Sequence, residues 1–357
     1  MTNKLKPFAN KLSYIKEKLI NGNRIGYFQR HLSIITKHLT LIKVINLLLN
    51  EAEMQLRITS PYSLPAYIKI EPTPLCQLRC KGCAQRNISF KHDLLKLNNG
   101  KMFLSLEDLK KIVDPIKSTL IGVSLSLYGE PMLNRKIASL IEYLHNINVA
   151  VSFPTNLSIK FNYNQIIELV KSGLDCIEVA LDGITQESYT KYRVGGNIDL
   201  ILENVKLISQ AKKELNSKSP QVVWKYVVFN HNKHEVEMVR NLYSVWGFDR
   251  YEFAYDNYSD TEIKIESDIK KNLVNKRKPC FWLWNTTIIR WDGSVRPCCT
   301  NEKSFIVGNA IENDIKEIWR SNVYSKLRKG FVKNEYGQYM HPVCKKCMGV
   351  YELPKIV

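Results

Sequence analysis

From Ala66 to Tyr255 the chain alternates short β-branched runs with longer helical segments, and this rhythm restricts the fold more than any other property of its 357 residues. Strands are predicted at Tyr67–Ile70, Leu120–Leu127, Val149–Phe153, Cys176–Leu181, Val222–Phe229 and Arg250–Tyr255. Helices are predicted at Leu106–Lys117, Arg135–Asn146, Asn164–Lys171, Leu200–Leu215 and His234–Trp246. Ser105 with Asp108 reads as a helix start, and Gly173 and Gly247 as helix stops. Strand–helix alternation of this kind implies a parallel sheet with crossover helices. Sites in such folds form at the C-terminal ends of the strands.

The first of those strand ends runs into Cys76-Gln-Leu-Arg-Cys80-Lys-Gly-Cys83, a C-x3-C-x2-C spacing with no fourth cysteine nearby. An iron–sulfur cube has four iron corners, normally held by four thiolates. Three thiolates on one loop leave the fourth iron open to bind a small molecule and pass it an electron. Zinc is the competing reading, with His92 as a conceivable fourth ligand, but structural zinc favours closed sets of four. Disulfides are disfavoured in a chain with no secretory signal.

A second group of cysteines lies beyond the alternating region: Cys280, Cys298, Cys299, Cys344 and Cys347. Residues 256 to 279 are polar and read as a linker. Thr286–Arg290 and Ser294–Arg296 around Asp292-Gly293 then read as a β-hairpin, with a helix near Ile315–Arg328. Ahead of the alternation, Leu32, Ile35, Leu39, Ile42, Ile45 and Leu49 recur at helical spacing. That stripe predicts a helix packed on the main domain, or one lying on a membrane surface. Three regions result: a basic helical extension over 1–62, an α/β core over 63–265 and a small cysteine-bearing domain over 270–357.

The net charge is +18. The lysines are scattered, without the basic, aromatic-interleaved strip of a nucleic-acid binder, so nucleic acid is not the expected partner. Most of the charge reads as a solvated lysine-rich surface, and it permits an anionic substrate or an anionic membrane surface. No stretch approaches the ~20 apolar residues needed to span a bilayer, and a cytoplasmic location is expected.

Four motifs in order resemble the radical S-adenosylmethionine (SAM) enzymes, in the branch with a C-terminal SPASM or twitch extension; the resemblance runs from about residue 66 to the end. The cysteine loop is similar to that family's C-x3-C-x2-C loop. Tyr128-Gly129-Glu130-Pro131 resembles its G-G-E-P, and Thr155-Asn156 its T-N-G, with Leu157 in place of the glycine. Leu181-Asp182-Gly183 followed by Tyr189, Tyr192-Arg193 and Gly195-Gly196 resembles its S-x-D-G…Y…R-x-G-G, with Ala180 at the serine. The residue before the third cysteine, usually aromatic against the adenine, is Gly82.

The resemblance implies an α/β fold, a partial (β/α)6 TIM-like barrel with a small SPASM/twitch domain. It implies a 4Fe–4S cluster on Cys76, Cys80 and Cys83 that binds S-adenosyl-L-methionine. Gly129, Glu130, Asn156 and Arg193 would contact SAM, Glu130 through its ammonium and Arg193 through its carboxylate. Cys280, Cys298, Cys344 and Cys347 would hold an auxiliary 4Fe–4S cluster, with Cys299 as the alternative to Cys298. The implied activity is reductive cleavage of SAM to a 5′-deoxyadenosyl radical that abstracts hydrogen from a substrate, an oxidoreductase-type two-electron oxidation. A flavodoxin or ferredoxin would supply the electron. No catalytic side chain is assigned. A peptide-modifying maturase of the same branch is the alternative, although residues 1 to 60 lack the strands of a peptide-binding module. From a different class stands a non-catalytic metal- or nucleic-acid-binding protein with zinc at both sites.

Overall fold

The computed structural model describes residues 34–83, 101–255, 279–299, 305–332 and 340–346. The linker over 256–278, Leu32, His92, Cys347 and the boundary expected between 265 and 270 lie outside the described residues. Six parallel strands form the core: β1 (Tyr67–Ile70), β2 (Gly122–Ser124), β3 (Ala150–Thr155), β4 (Cys176–Ala180), β5 (Gln221–Val228) and β6 (Arg250–Tyr255). The helix α1 (Leu41–Leu56) precedes them. Crossovers are made by α2 (Leu106–Val113), α3 (Ile137–Asn146), α4 (Tyr163–Lys171), α5 (Gln186–Thr190), α6 (Ile198–Glu214) and α7 (Val236–Leu242). The sheet is open, a partial barrel.

Period-two alternation decides which side chains meet the helices. Ile68, Ile70, Val123, Leu125, Val151, Phe153, Ile177, Val179, Val222 and Trp224 join one apolar core with the helices. Their neighbours Lys69, Ser124, Ser152, Glu178, Lys225 and Glu252 face the other way, so the concave face of the sheet is polar.

The structure shortens β2 relative to the sequence reading, to Gly122–Ser124. Pro115 ends α2 at Val113, and the chain continues as a 3-10 turn over Asp114–Ile116. The helix predicted near Ile315–Arg328 is two, α9 (Ile315–Arg320) and α10 (Asn322–Lys329). Ser321, at ψ 159°, ends one and caps the next by accepting from the Tyr324 N–H.

The cysteine-bearing C-terminal part is not set apart from the barrel. After α8 (Phe281–Asn285), β7 (Thr286–Ile289) pairs in parallel with β1 along its whole length. β8 (Ser294–Arg296) and β9 (Gly308–Asn309) extend the sheet antiparallel, giving the order β6-β5-β4-β3-β2-β1-β7-β8-β9. A last helix, α11 (Pro342–Lys346), carries Cys344. The sequence reading separated the hairpin from the core; the pairing of Lys69 with Ile288 joins them.

Candidate functional site

The cysteine loop leaves the C-terminal end of β1 and is held from two sides. The Arg79 N–H donates to the Val194 carbonyl at 2.9 Å and the Lys81 N–H to the Tyr192 carbonyl at 3.0 Å, a strand-like bridge onto the segment after α5. On the other side the Glu130 N–H donates to the Leu75 carbonyl at 2.7 Å. A Cβ on Gly129 would stand 1.9 Å from the Thr73 carbonyl oxygen, so the close approach of these two backbones requires glycine there. Gly82 has φ +77°, in the left-handed region that glycine enters without steric cost, and it turns the chain from Cys80 into Cys83.

All four residues expected at the SAM-binding end converge on this loop. Asn156, just past β3, directs Nδ2 toward Cys76 Sγ at 3.8 Å, while its Oδ1 accepts from Gln77 Nε2 at 2.7 Å. Glu130 is buried and accepts from Thr155 Oγ1 at 2.6 Å, the Asn156 N–H at 2.7 Å and the Met132 N–H at 3.1 Å. It therefore ties the end of β2 to the end of β3. Burial pushes its carboxyl pKa up, against the pull of those donors. Arg193 donates through Nε to Asp182 at 2.6 Å and lies beside Cys80. Burial opposes its charge, and Asp182 and Cys80 outweigh that opposition.

Asp182, the acid of the Leu181-Asp182-Gly183 motif, is fully buried and splits its oxygens between Arg193 and the Val227 N–H at 2.7 Å. Gly183 and Gly196 both pack on Tyr189, close enough that any Cβ would collide with it. The motif from Asp182 to Gly196 is thus a rigid unit that aims Arg193 at the cysteine loop. Sequence reasoning missed Gln77, which no pattern distinguishes, and the polar concave face, which the Tyr-Ile-Lys-Ile alternation of β1 signals.

Burial raises Cys76 to about 12, with Glu130, Cys80 and Cys83 adding to the rise. Burial likewise raises Cys80, against the neighbouring Arg193. Among the described residues no trio of Cys, His, Asp or Glu is gathered to hold a single metal ion. The donor set fits a cluster: three soft thiols on one braced loop, with a guanidinium beside them to offset thiolate charge.

The second group divides. Cys280, Cys298 and Cys344 are half-buried and pack against the main apolar core. Cys299 is exposed and lies near Lys69 and Tyr128 on the barrel side. A buried ion pair, Glu71 Oε2 to Arg290 Nε at 2.9 Å, joins the ends of β1 and β7.

A model of the radical SAM superfamily matches residues 70–242, and one of the SPASM iron–sulfur cluster-binding domain matches residues 280–348. The chain belongs to the radical SAM superfamily. A probable GTP 3′,8-cyclase of Methanococcus maripaludis is 31% identical over 141 residues, 38% of this chain and 43% of the cyclase, so the match spans less than half of that relative's length. The tungsten-containing aldehyde ferredoxin oxidoreductase cofactor-modifying protein of Pyrococcus furiosus is 22% identical over 323 residues, 79% of this chain and 86% of the relative. SuiB of Streptococcus suis bound to S-adenosylmethionine has the same fold, with a TM-score of 0.58 at 16% identity over 80% of this chain and 72% of SuiB. The cofactors of this radical SAM protein are accordingly SAM, a SAM-binding 4Fe–4S cluster and an auxiliary 4Fe–4S cluster.

Proposed function

We propose that this radical SAM enzyme abstracts hydrogen from an anionic small molecule held on the concave face of the barrel, in a net two-electron oxidation. The carrying observation is the convergence of Asn156 and Arg193 on the loop of Cys76, Cys80 and Cys83 at the C-terminal end of the sheet. Those three cysteines would hold the SAM-binding cluster, which supplies the electron for reductive cleavage of SAM. Asn156 orients Cys76, Arg193 offsets negative charge at Cys80, and Glu130 fixes the β2 and β3 ends that wall the site. Cys280, Cys298, Cys344 and Cys347 would hold the auxiliary cluster, and the half-buried packing of the first three supports Cys298 over the exposed Cys299. A flavodoxin or ferredoxin is the proposed reductant.

The substrate class rests on Lys69 and Lys225. Lys225 is ion-paired with Glu178 across β4 and β5. Lys69 has no hydrogen-bond or ion-pair partner among the described residues, and its pKa is lowered by burial and then by the charge of Lys225. A concave face with one cation unmatched favours a carboxylate or phosphate ligand. The matched cyclases are named for GTP, itself a polyanion, which agrees with this reading.

Metal analysis of anaerobically reconstituted protein tests the reading. Iron and sulfide at about eight each per chain are expected for two cubes; zinc without iron would refute it.

A further inference from the structure

The helix α1 is turned inside out. Apart from Met54, its buried residues are polar: Lys43 Nζ donates to the His38 carbonyl at 3.1 Å and to that of Asn148. Asn46 and Asn50 both donate to the Leu64 carbonyl, at 2.9 and 3.0 Å, and Asn46 accepts from the Leu64 N–H at 2.9 Å. Glu53 accepts from the Tyr62 N–H at 2.7 Å and from Ser63. The solvent side is apolar: Leu41, Leu48 and Leu56 are 76%, 65% and 74% exposed, with Ile42, Ile45 and Leu49 between them and Tyr62 beyond at 85%. Gln55 is the one polar side chain among the exposed residues of α1, and it donates to the half-exposed Glu51 at 2.7 Å. A helix on a soluble domain has the opposite arrangement, and a contiguous apolar patch of this kind marks a surface that something covers.

Charge selects the occupant. The 33 residues just before the described part hold seven Lys and Arg and a single acid, Glu17, so a third of the chain's net +18 precedes this face. A second copy of the chain would bring the same excess against itself. A bilayer with anionic headgroups accepts both the apolar side and the cations. Among the described residues no helix is long and apolar enough to cross a membrane.

We propose that α1 seats on an anionic lipid surface, its Leu and Ile side at the acyl boundary. The bonds to Leu64 and Asn148 place α1 at the N-terminal ends of β1 and β3, whereas the cysteine loop leaves the C-terminal end of β1. Docked this way, the enzyme keeps its reaction mouth toward water, so lipid is its anchor and not its substrate.

Flotation of the full chain with phosphatidylcholine vesicles, with and without phosphatidylglycerol, tests this. The chain should float with the phosphatidylglycerol vesicles and much less with phosphatidylcholine alone. Ile45→Glu with Leu48→Glu should cut the floated fraction about tenfold, with unchanged circular dichroism and melting temperature because both side chains stand in solvent. Lys11→Gln with Lys16→Gln and Lys18→Gln should weaken flotation and its salt sensitivity. The proposal is overturned if the wild type stays off both vesicle types, if the Ile45/Leu48 variant floats equally well, or if the chain is a dimer that this variant converts to monomer. Uncoupled SAM cleavage by the same variant should match wild type, which separates the anchor from the radical chemistry.

Discussion

The Glu71–Arg290 pair is where the barrel and the SPASM hairpin are fastened, and its removal has a calculable outcome. Both side chains are buried, at 0% and 4% exposure. Glu71 also accepts from the Tyr128 N–H at 3.2 Å, and the Arg290 guanidinium lies 4.3 Å from the Trp291 ring centroid. Burial pushes the Glu71 carboxyl pKa up while Arg290 pulls it back, so each charge depends on the other. Glu71→Gln keeps the acceptor for Tyr128 but leaves a buried guanidinium without its counter-charge, at a cost of about 3–5 kcal/mol. The ring of Trp291 offsets part of this, which favours the lower figure. At about 2 °C per kcal/mol for a chain of this size, the melting temperature should fall by roughly 6 °C. Arg290→Met should cost a similar amount. The double variant Glu71→Gln, Arg290→Met removes both charges, keeps an acceptor for Tyr128 and should cost only about 1–2 kcal/mol. Thermal melts and urea titrations of the four proteins give the coupling energy directly. If the double variant loses the sum of the two singles, the pair is not coupled and the fastening argument is wrong.

Gly129→Ala drives a methyl into the Thr73 carbonyl, so the cysteine loop should lose its seat and iron at the first site should fall even where the protein stays folded by circular dichroism. Cys298→Ser should lower iron by about four per chain while Cys299→Ser leaves it unchanged; the reverse would move the ligand to the exposed thiol. Asp108 carries a lowered pKa: burial raises it, but bonds from Lys101 and Ser105 win. Its contribution is present above the unfolded value near ~3.9 and is lost as pH falls through the lower folded value. Asp108→Asn should cost roughly 1 kcal/mol at neutral pH, and denaturant melts should show that difference shrinking below about pH 4.

The six parallel strands were legible because each presents one apolar face to helices, marked by Ile68, Val123, Val151, Ile177 and Val222. The cysteine loop, Glu130, Asn156 and Arg193 were legible as motifs, and the structure brings them together. Their hydrogen bonding was not: that Glu130 already serves Thr155, Asn156 and Met132 follows from the meeting of two strand ends far apart in sequence. The parallel pairing of β7 with β1 was hidden for a related reason, since a strand after a long polar stretch carries no mark of its partner. Of the apolar stripe, Ile42, Ile45 and Leu49 lie in α1 and face solvent, whereas Leu39 stands in the extended break before it and Ile35 is buried. Periodicity reports that one side is apolar, and only Lys43, Asn46, Asn50 and Glu53, each with a partner, show which side meets the protein.

The central claim is that Cys76, Cys80 and Cys83, braced by Asn156 and Arg193, form a working SAM-cleaving site. Anaerobically reconstituted protein, incubated with SAM and dithionite and assayed for 5′-deoxyadenosine, tests it without knowledge of the substrate. The account predicts steady formation of 5′-deoxyadenosine and methionine, abolished by alanine at any of the three cysteines and unaffected by Cys176→Ala on the buried strand β4. Iron-loaded protein that forms none, or formation that survives loss of Cys76, would contradict it.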